Sequence, residues 1–403
     1  MRASNKHLVQ IALISNIFQW YGFCVAAFLA ATIGQVFFTQ QNSIVATIIS
    51  FAVFAISYLV RPLGSILFGY IGDQFSSGVA LKHSMIMMML PTLFIGLLPS
   101  YQTAGSLASA LLILLSIVQG IAAGGALPLS ASYVFEHSKN RTNRAFLCSL
   151  VSAGAPLGIL TASIVTVLLY TNFSHVSVIA WAWRLPFILS IPMAIMVLYF
   201  GKHINLEKTA IFSCKIMYKN YIKSFLKAIL LTVFLQISMY VLLVWLPTYL
   251  EYFMKISYLY ARISNMIALA VYVICIVFFG YIEKFICYKY LILICVILLS
   301  GTIYPLFLLL HGAEFITLAL VQSFFAVLIA MLYGGYFFAL NNMFDSNIRN
   351  KAMAIVFTVP TAIFGGSAPV VCGYFIHKFD IMFFPCFYII VFGILAIPAL
   401  LTI

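Results

Sequence analysis

Long apolar stretches separated by short polar connections run along the whole chain of 403 residues. A helix needs about 20 predominantly apolar residues to cross the hydrocarbon core of a bilayer, and stretches of about that length recur twelve times. The predicted spans are 8–38, 44–72, 84–101, 105–135, 145–170, 178–200, 225–250, 262–282, 287–310, 314–342, 352–376 and 381–402. The pattern therefore predicts an all-α membrane protein with twelve transmembrane helices.

The composition excludes a water-soluble protein. Hydrophobic residues make up 65% of the chain, charged residues make up 7%, and the mean hydropathy is +1.14. A soluble domain carries about 25% charged residues. The chain has 21 Lys and Arg against 8 Asp and Glu, but no basic run lies on a soluble face, so no nucleic-acid partner is predicted.

The basic residues predict an orientation instead. If the spans alternate from a cytoplasmic N-terminus, sixteen Lys or Arg residues lie in cytoplasmic connections and only Lys255, Arg262 and Lys378 lie on the opposite side. Cytoplasmic loops carry an excess of Lys and Arg in membrane proteins. Both termini are therefore predicted to be cytoplasmic.

The chain divides into two halves that resemble each other. The longest polar connection, residues 201–224, carries five lysines and separates an N-terminal six-helix bundle, 1–200, from a C-terminal one, 225–403. The string FGYIGD at 68–73 returns as FGYIEK at 279–284, and the Gly pair at 124–125 returns at 334–335. Two parallel six-helix repeats are the architecture of major facilitator transporters.

Several strings resemble one branch of that superfamily, the metabolite:proton symporters, which include proline/betaine, shikimate and 2-oxoglutarate permeases. NIFQWYGF in the first span resembles N-x-x-E-W-(F/Y)-D-F, and RPLGSILFGYIGD in the second resembles R-P-L-G-x-x-x-F-G-x-x-G-D. Further similar strings are QGIAAGGA at 119–126, WAWRLPF at 181–187, NLEKTAIF at 205–212, WLPTYL at 245–250 and FGGSAP at 364–369. The resemblance covers nearly the whole chain and implies the major facilitator fold.

The chain departs from the family pattern at positions where acidic residues could bind protons. Gln19 and Gly22 stand where the family has acidic residues, and Ala126 stands where it has glutamate. The resemblance implies proton symport, yet all eight acidic residues and all seven histidines fall in predicted loops or at helix ends. A proton relay needs a titratable group in the permeation path. Coupling to protons therefore stays open at this point.

Arg61 is the main candidate for a substrate contact. It lies twelve residues before Asp73, which places it about 18 Å into the membrane from the cytoplasmic end of a helix. Gln19 lies at a similar depth and carries no charge to neutralise the guanidinium, whose fork of donors suits a carboxylate. The alternative is that Arg61 donates to backbone carbonyls or helix ends inside the bundle.

Uncharged polar and aromatic residues within the spans form a second group of predicted substrate contacts: Asn16, Tyr21, Gln119, Gln236, Tyr240, Trp245, Gln322 and Tyr333. Tyr240 and Trp245 could supply an aromatic wall for a quaternary ammonium. Each of these polar residues could equally join helices without touching a solute. A gating role at the cytoplasmic ends is predicted for Asp73, Glu136 and Arg144.

The chain shows no sign of an enzyme. It has no GxxxxGK(S/T), HExxH or GxSxG string and no His/Cys cluster with metal spacing, so no ATP hydrolysis, cofactor or metal is predicted. The sequence predicts a monomeric secondary transporter in the lipid of a bacterial cytoplasmic (inner) membrane. It moves a small polar organic solute, either a zwitterion such as proline or betaine or an organic acid, by alternating access. The alternatives are an uncoupled uniporter or exporter, and a non-transporting membrane sensor.

Overall fold

The computed structural model describes residues 5–39, 53, 56–138, 144–201, 221–283, 285–345 and 348–401. Within these ranges every regular element is a helix. The helices before residue 202 are α1 Asn5–Phe28, α2 Ala30–Phe37, α3 Arg61–Gln74, α4 Ser77–Leu97, α5 Tyr101–Ala104, α6 Ser106–His137, α7 Arg144–Ser152, α8 Gly154–Asn172, α9 His175–Ala180, α10 Leu185–Ile188 and α11 Ser190–Gly201.

The helices after residue 220 are α12 Ile222–Met239, α13 Leu246–Tyr252, α14 Tyr258–Ile282, α15 Tyr288–Leu309, α16 Phe315–Met343, α17 Arg349–Pro360, α18 Ala368–Phe379 and α19 Phe384–Leu401. Two π-helical segments, Tyr240–Trp245 and Thr361–Gly365, join α12 to α13 and connect α17 with α18. Extra residues of this kind inside α-helices are frequent at functional sites.

Among the described residues, nine helical stretches are long and apolar enough to cross a membrane. Two shorter apolar stretches, Ala182–Met196 and Phe384–Pro398, coincide with the sixth and twelfth predicted spans. The second predicted span, 44–72, lies partly outside the described residues and ends in α3. The spans predicted from hydropathy therefore each have a counterpart wherever the structure describes them.

The third span starts earlier than predicted. The sequence analysis placed its start at residue 84 because Lys82 and His83 precede the apolar run, but α4 begins at Ser77. The Ser76 hydroxyl accepts a hydrogen bond from the backbone N–H of Val79 at 3.2 Å and caps the helix. Lys82 and His83 therefore lie in the first two turns of the helix, where a long basic side chain can still reach water.

The chain packs into two compact units. The first comprises Met1–His137 and Gly154–Ile211, and the second comprises Ser138–Ala153 and Phe212–Ile403. The short helix α7 thus belongs with the helices of the second half of the sequence. Most of the predicted linker 201–224 lies outside the described residues, and the boundaries 1–200 and 225–403 stay a prediction.

Glycines allow neighbouring backbones to touch in both units. In the first unit, a Cβ on Gly124 of α6 would overlap the carbonyl oxygen of Arg61, and a Cβ on Gly158 of α8 would lie 2.8 Å from Cβ of Trp20. In the second unit, a Cβ on Gly334 of α16 would lie 2.9 Å from Cβ of Phe279. Small residues of this kind permit close packing of helices in membranes. In the first unit they also fix the positions of two site residues, Arg61 and Trp20.

Candidate functional site

Arg61 is the first residue of α3, and its side chain is buried among aromatic rings of the first unit. The guanidinium carbon lies 3.8 Å from the ring centroid of Tyr58, 4.2 Å from that of Phe23 and 5.6 Å from that of Trp20. We call these three rings the aromatic cage. A cation over an aromatic face is attracted by the ring quadrupole, by about 2 kcal/mol or more when the pair is desolvated.

The buried charge of Arg61 has no counterion within the described residues. No carboxylate there pairs with the guanidinium, and its Nε is enclosed without a hydrogen-bond partner. None of the hydrogen bonds in this part of the chain joins the guanidinium to a backbone carbonyl, which the sequence had left as an alternative. Burying a charge without a partner is costly, so this position is suited to an anionic ligand.

Gln19 and Gln119 carry buried amides in the same unit as the cage. Gln19 Nε2 donates to the hydroxyl of Ser84 at 3.2 Å, and Gln119 Nε2 donates to the hydroxyl of Thr92 at 2.9 Å. Gln19 is next to Trp20 on α1 and has a neutral hydroxyl as its partner, and its predicted role beside Arg61 stays a prediction. Both amides are thus held in fixed orientations on neighbouring helices.

A cavity of 20 Å³ lies beside the cage, large enough for about one water molecule. Phe23 of the cage, Ser57, Ser116 and Gln119 contribute to its wall. The rest of the wall is aliphatic, so the cavity is mainly apolar and carries a few groups that can form hydrogen bonds.

Asn16 and Tyr21 tie α1 to other parts of the first unit. Asn16 Nδ2 donates to the Ser130 hydroxyl at 2.9 Å, and the Tyr21 hydroxyl donates to the carbonyl of Pro186 at 2.6 Å. A buried amide or phenol with a fixed protein partner stabilises helix packing. In the structure these two predicted contacts join helices, while Trp20, Phe23 and Tyr58, which the sequence analysis did not single out, surround Arg61.

The predicted gating residues of the first unit lie near the N-terminus of α4. Asp73 lies near the end of α3, and the carboxylate of Glu136 on α6 accepts a hydrogen bond from the hydroxyl of Ser77 at 2.8 Å. Ser77 is the first residue of α4, where the helix dipole favours a negative charge. Glu136 therefore links the ends of α6 and α4.

In the second unit, Gln236 of α12 is the centre of a buried polar cluster. Its Oε1 accepts a hydrogen bond from the hydroxyl of Tyr333 at 3.1 Å, and its Nε2 donates to the hydroxyl of Thr361. Thr361 opens the second π-helical segment, and a Cβ on Gly365 at the end of that segment would lie 2.8 Å from Cε2 of Tyr240. We call Gln236, Tyr240, Tyr333, Thr361 and Gly365 the Gln236 cluster.

Two predicted contacts of the second unit lie apart from this cluster. The ring of Trp245 packs on Tyr249 at 5.3 Å and on Phe253 at 6.2 Å between centroids, at the far end of the π-helical segment from Tyr240. Gln322 of α16 donates to the hydroxyl of Ser264 on α14 at 2.7 Å. Tyr240 and Trp245 are thus not brought together as one wall among the described contacts.

Glu283 is a titratable residue that the sequence analysis assigned only to a helix end. It follows α14, and both of its carboxylate oxygens are enclosed without a hydrogen-bond partner among the described residues. Burial raises the pKa of this carboxyl from 4.5 to about 8. Arg144, predicted to act in gating, lies on α7 in the same unit and donates to the carbonyl of Ser138 at 3.5 Å.

Helices that cross a membrane and enclose amides, phenols and a charged guanidinium define a membrane transport protein. Intramembrane polar and ionisable groups are otherwise rare, and they mark solute pathways. The sequence model of the Major Facilitator Superfamily matches residues 11–368. The chain belongs to this superfamily, and it is a secondary membrane transporter of a small solute.

Known relatives cover almost the whole chain. A Staphylococcus haemolyticus protein, provisionally named a proline/betaine transporter, is 31% identical over 93% of this chain and 82% of its own length. A Dickeya dadantii protein named a glycine betaine/proline/ectoine/pipecolic acid transporter is 27% identical over 97% of this chain and 82% of its own length.

A solved structure confirms the predicted fold. A double-tryptophan mutant of XylE, the xylose transporter from E. coli, superposes with a TM-score of 0.82 over 98% of this chain and 94% of its own, at 16% sequence identity. The chain therefore has the major facilitator fold of twelve transmembrane helices that the sequence predicted.

Proposed function

We propose that the protein carries compact zwitterions that bear a carboxylate, of the proline and glycine betaine kind, by alternating access. The observation that carries this proposal is the buried charge of Arg61, which has no carboxylate partner among the described residues. The names of the two relatives support it, because the solutes in those names all carry a carboxylate.

Arg61 is proposed to bind the carboxylate of the solute. The rings of the aromatic cage use none of the N–H donors of the guanidinium in a conventional hydrogen bond, and a planar fork of donors matches a carboxylate. Gln19 and Gln119 are proposed to add hydrogen bonds after a rotation of their amides. Asn16 and Tyr21 are proposed as outer contacts that hold α1 in place.

The ammonium of the solute is proposed to bind away from the cage, because the guanidinium already lies against its three rings and would repel a second cation. The Gln236 cluster is proposed as a second surface that contacts the solute. The ring of Tyr240 is its aromatic element, and the hydroxyl of Tyr333 is its polar element. Trp245 and Gln322 are proposed as more distant contacts of the second unit. The π-helical backbone at both edges of the cluster supports a functional role.

The carrier is proposed to lie in the lipid of a bacterial cytoplasmic (inner) membrane with both termini in the cytoplasm, since sixteen basic residues fall on that side of the predicted topology. Asp73, Glu136 and Arg144 are proposed to control opening at the cytoplasmic ends of the helices. We further propose that the protein acts as a monomer, catalyses no reaction, and uses no cofactor, metal or nucleic acid.

Binding of labelled glycine betaine and proline to the purified carrier tests the proposal. Arg61→Gln should weaken both affinities by about 1.5–3 kcal/mol, roughly 10- to 100-fold in Kd, since charge-assisted hydrogen bonds contribute that much. Arg61→Lys keeps the charge but loses the fork, so it should recover only part of the affinity. Arg262→Gln, which removes a partly exposed ion pair with Glu251, is the matched control. Equal affinities in all four proteins would refute the role of Arg61.

A further inference from the structure

Glu283 lies at the end of α14, where three further helices of the second unit approach it. It is the residue after α14, and a Cβ on Gly335 of α16 would overlap one of its carboxylate oxygens. The thiol of Cys148 on α7 is close enough to interact electrostatically with both Glu283 and Arg144. On the third side, the same Cβ on Gly335 would lie 3.0 Å from Cβ of Tyr288 at the start of α15.

The helices are packed tightly around this carboxylate. A Cβ on Gly280, one turn before Glu283, would overlap the hydroxyl of Ser149 on α7. Gly334, beside Gly335, touches Phe279 in the same way. Both carboxylate oxygens are enclosed by these contacts, although the residue as a whole is only partly buried, and no described side chain or backbone N–H donates a hydrogen bond to them.

Among the described residues, no charged or titratable group forms an ion pair or a hydrogen bond with Glu283. The groups around it are Arg144 and Cys148 from α7, and Cys287 and Tyr288 from the start of α15. Arg144 directs Nη2 to the carbonyl of Ser138 and forms no ion pair with Glu283. The facing helix α16 carries no charged residue anywhere along its length.

An ionised carboxylate in such a place lacks both hydration and hydrogen bonds, so the neutral acid is the form that fits. We propose that Glu283 is a proton-binding site of this carrier, which holds a proton while α7 packs against the ends of α14 and α16 and releases it when that contact opens. The O–H bond of the acid breaks on opening, the electron pair stays on the carboxylate, and water accepts the proton.

The end of α7 allows such an opening. The helix stops at Ser152, and a single turn residue, Ala153, separates it from α8. Opening of α7 from α14 and α16 would bring water to Glu283 and Cys148 together. The coupling to solute movement rests on the proposed transport function, whereas the proton site itself does not.

The first experiment measures how fast a thiol reagent labels Cys148 when the other seven cysteines are replaced. The reactivity of a thiol itself rises with pH, so two proteins are compared at each pH. The quantity of interest is the labelling rate of the protein that keeps Glu283, divided by the labelling rate of Glu283→Gln. This ratio should rise severalfold between about pH 6 and about pH 9, because only Glu283 gains charge on opening. Glu314→Gln, which removes an exposed carboxylate and keeps Glu283, is the control. Its labelling rate should follow that of the protein with both carboxylates at every pH. A ratio that is the same at every pH would overturn the proposal.

Infrared spectroscopy of the wild-type carrier gives a second test, which does not depend on whether any variant folds. The C=O stretch of a protonated carboxylic acid should be present at neutral pH and disappear as the pH passes about 8. If the band is absent at neutral pH, Glu283 is ionised in the packed state and the proposal is wrong.

Transport separates this inference from the proposed function. Glu283→Gln should still exchange betaine across the membrane at a fixed pH, but its uptake should lose the pH dependence seen in the wild type. If the wild type exchanges neither betaine nor proline, the proposed solute is wrong, and the Cys148 ratio still decides for or against Glu283.

Discussion

The guanidinium carbon of Arg61 lies 4.2 Å from the ring centroid of Phe23, and the same ring lines the cavity that reaches Gln119. Phe23 therefore has two contacts at once, one with a buried charge and one with a small, mainly apolar cavity that Gln119 also lines. The ring orients the guanidinium without using its N–H donors. An anionic group that enters this region would find those donors already in position.

Replacing Phe23 by leucine should weaken solute binding without removing any polar group. The cation–π attraction lost is about 2 kcal/mol for a desolvated pair, and Arg61 would lose part of its orientation. We expect a rise in Kd for betaine of up to roughly 30-fold, since each 1.4 kcal/mol corresponds to a factor of ten. Phe94→Leu, at an exposed position of the same unit, is the matched control. Identical Kd values for the two variants would argue against the cage.

Tyr333→Phe tests the Gln236 cluster. The variant removes the donor to Gln236 Oε1 at 3.1 Å and leaves a buried acceptor without its partner. This change should lower the free energy of unfolding by about 1–3 kcal/mol and reduce the uptake rate. Tyr290→Phe, at an exposed position on α15, should change neither quantity. If Tyr333→Phe and Tyr290→Phe have the same stability and uptake, the cluster has no role in either.

Gly365→Ala tests the contact between the two π-helical segments. The added Cβ would lie 2.8 Å from Cε2 of Tyr240, so the ring must move. Overpacking of this kind costs about 1–3 kcal/mol, and the displaced ring should also slow uptake. At Gly373 on α18 a Cβ would meet nothing within 4 Å, so Gly373→Ala should be neutral or stabilising. Thermal unfolding in detergent measures the stability of the two variants. Equal Tm values for Gly365→Ala and Gly373→Ala would contradict the contact.

The stability of the packed state should depend on pH through Glu283. Its pKa is raised from 4.5 to about 8, so the packed form binds more protons than the open form between these values. The packed form therefore loses stability as the pH rises from about 4.5 to about 8, and the loss levels off above that. The Tm of the wild type should fall across this window relative to Glu283→Gln. Parallel Tm curves for the two proteins would show that Glu283 does not titrate there.

Hydropathy was sufficient to predict the helices, because spans of about 20 apolar residues need no tertiary information. It misplaced the start of α4, where Ser76 caps a helix whose first turns are polar. The π-helical segments that begin at Tyr240 and Thr361 were not predicted. Hydropathy along the chain does not distinguish a π-helical turn from an α-helical turn, because the two differ by only one residue.

The candidate site was predicted only in part. Arg61 stood out as a charge within a span, but its cage depends on which helices become neighbours. A sequence signal did exist, because Trp20 and Phe23 on α1 are three residues apart and so share a face, and Tyr58 precedes Arg61 by the same spacing. Glu283 replaces Gly72 in the repeated string, and that substitution was the available sign that the second half differs chemically from the first.

Uptake of labelled glycine betaine and choline into proteoliposomes tests the central claim most directly. Both solutes carry the same quaternary ammonium, but only betaine has a carboxylate for Arg61. The wild type should take up betaine and discriminate strongly against choline, and Arg61→Gln should lose that discrimination. Equal uptake of betaine and choline by the wild type, or unchanged discrimination in Arg61→Gln, would contradict the assignment of Arg61 to the carboxylate.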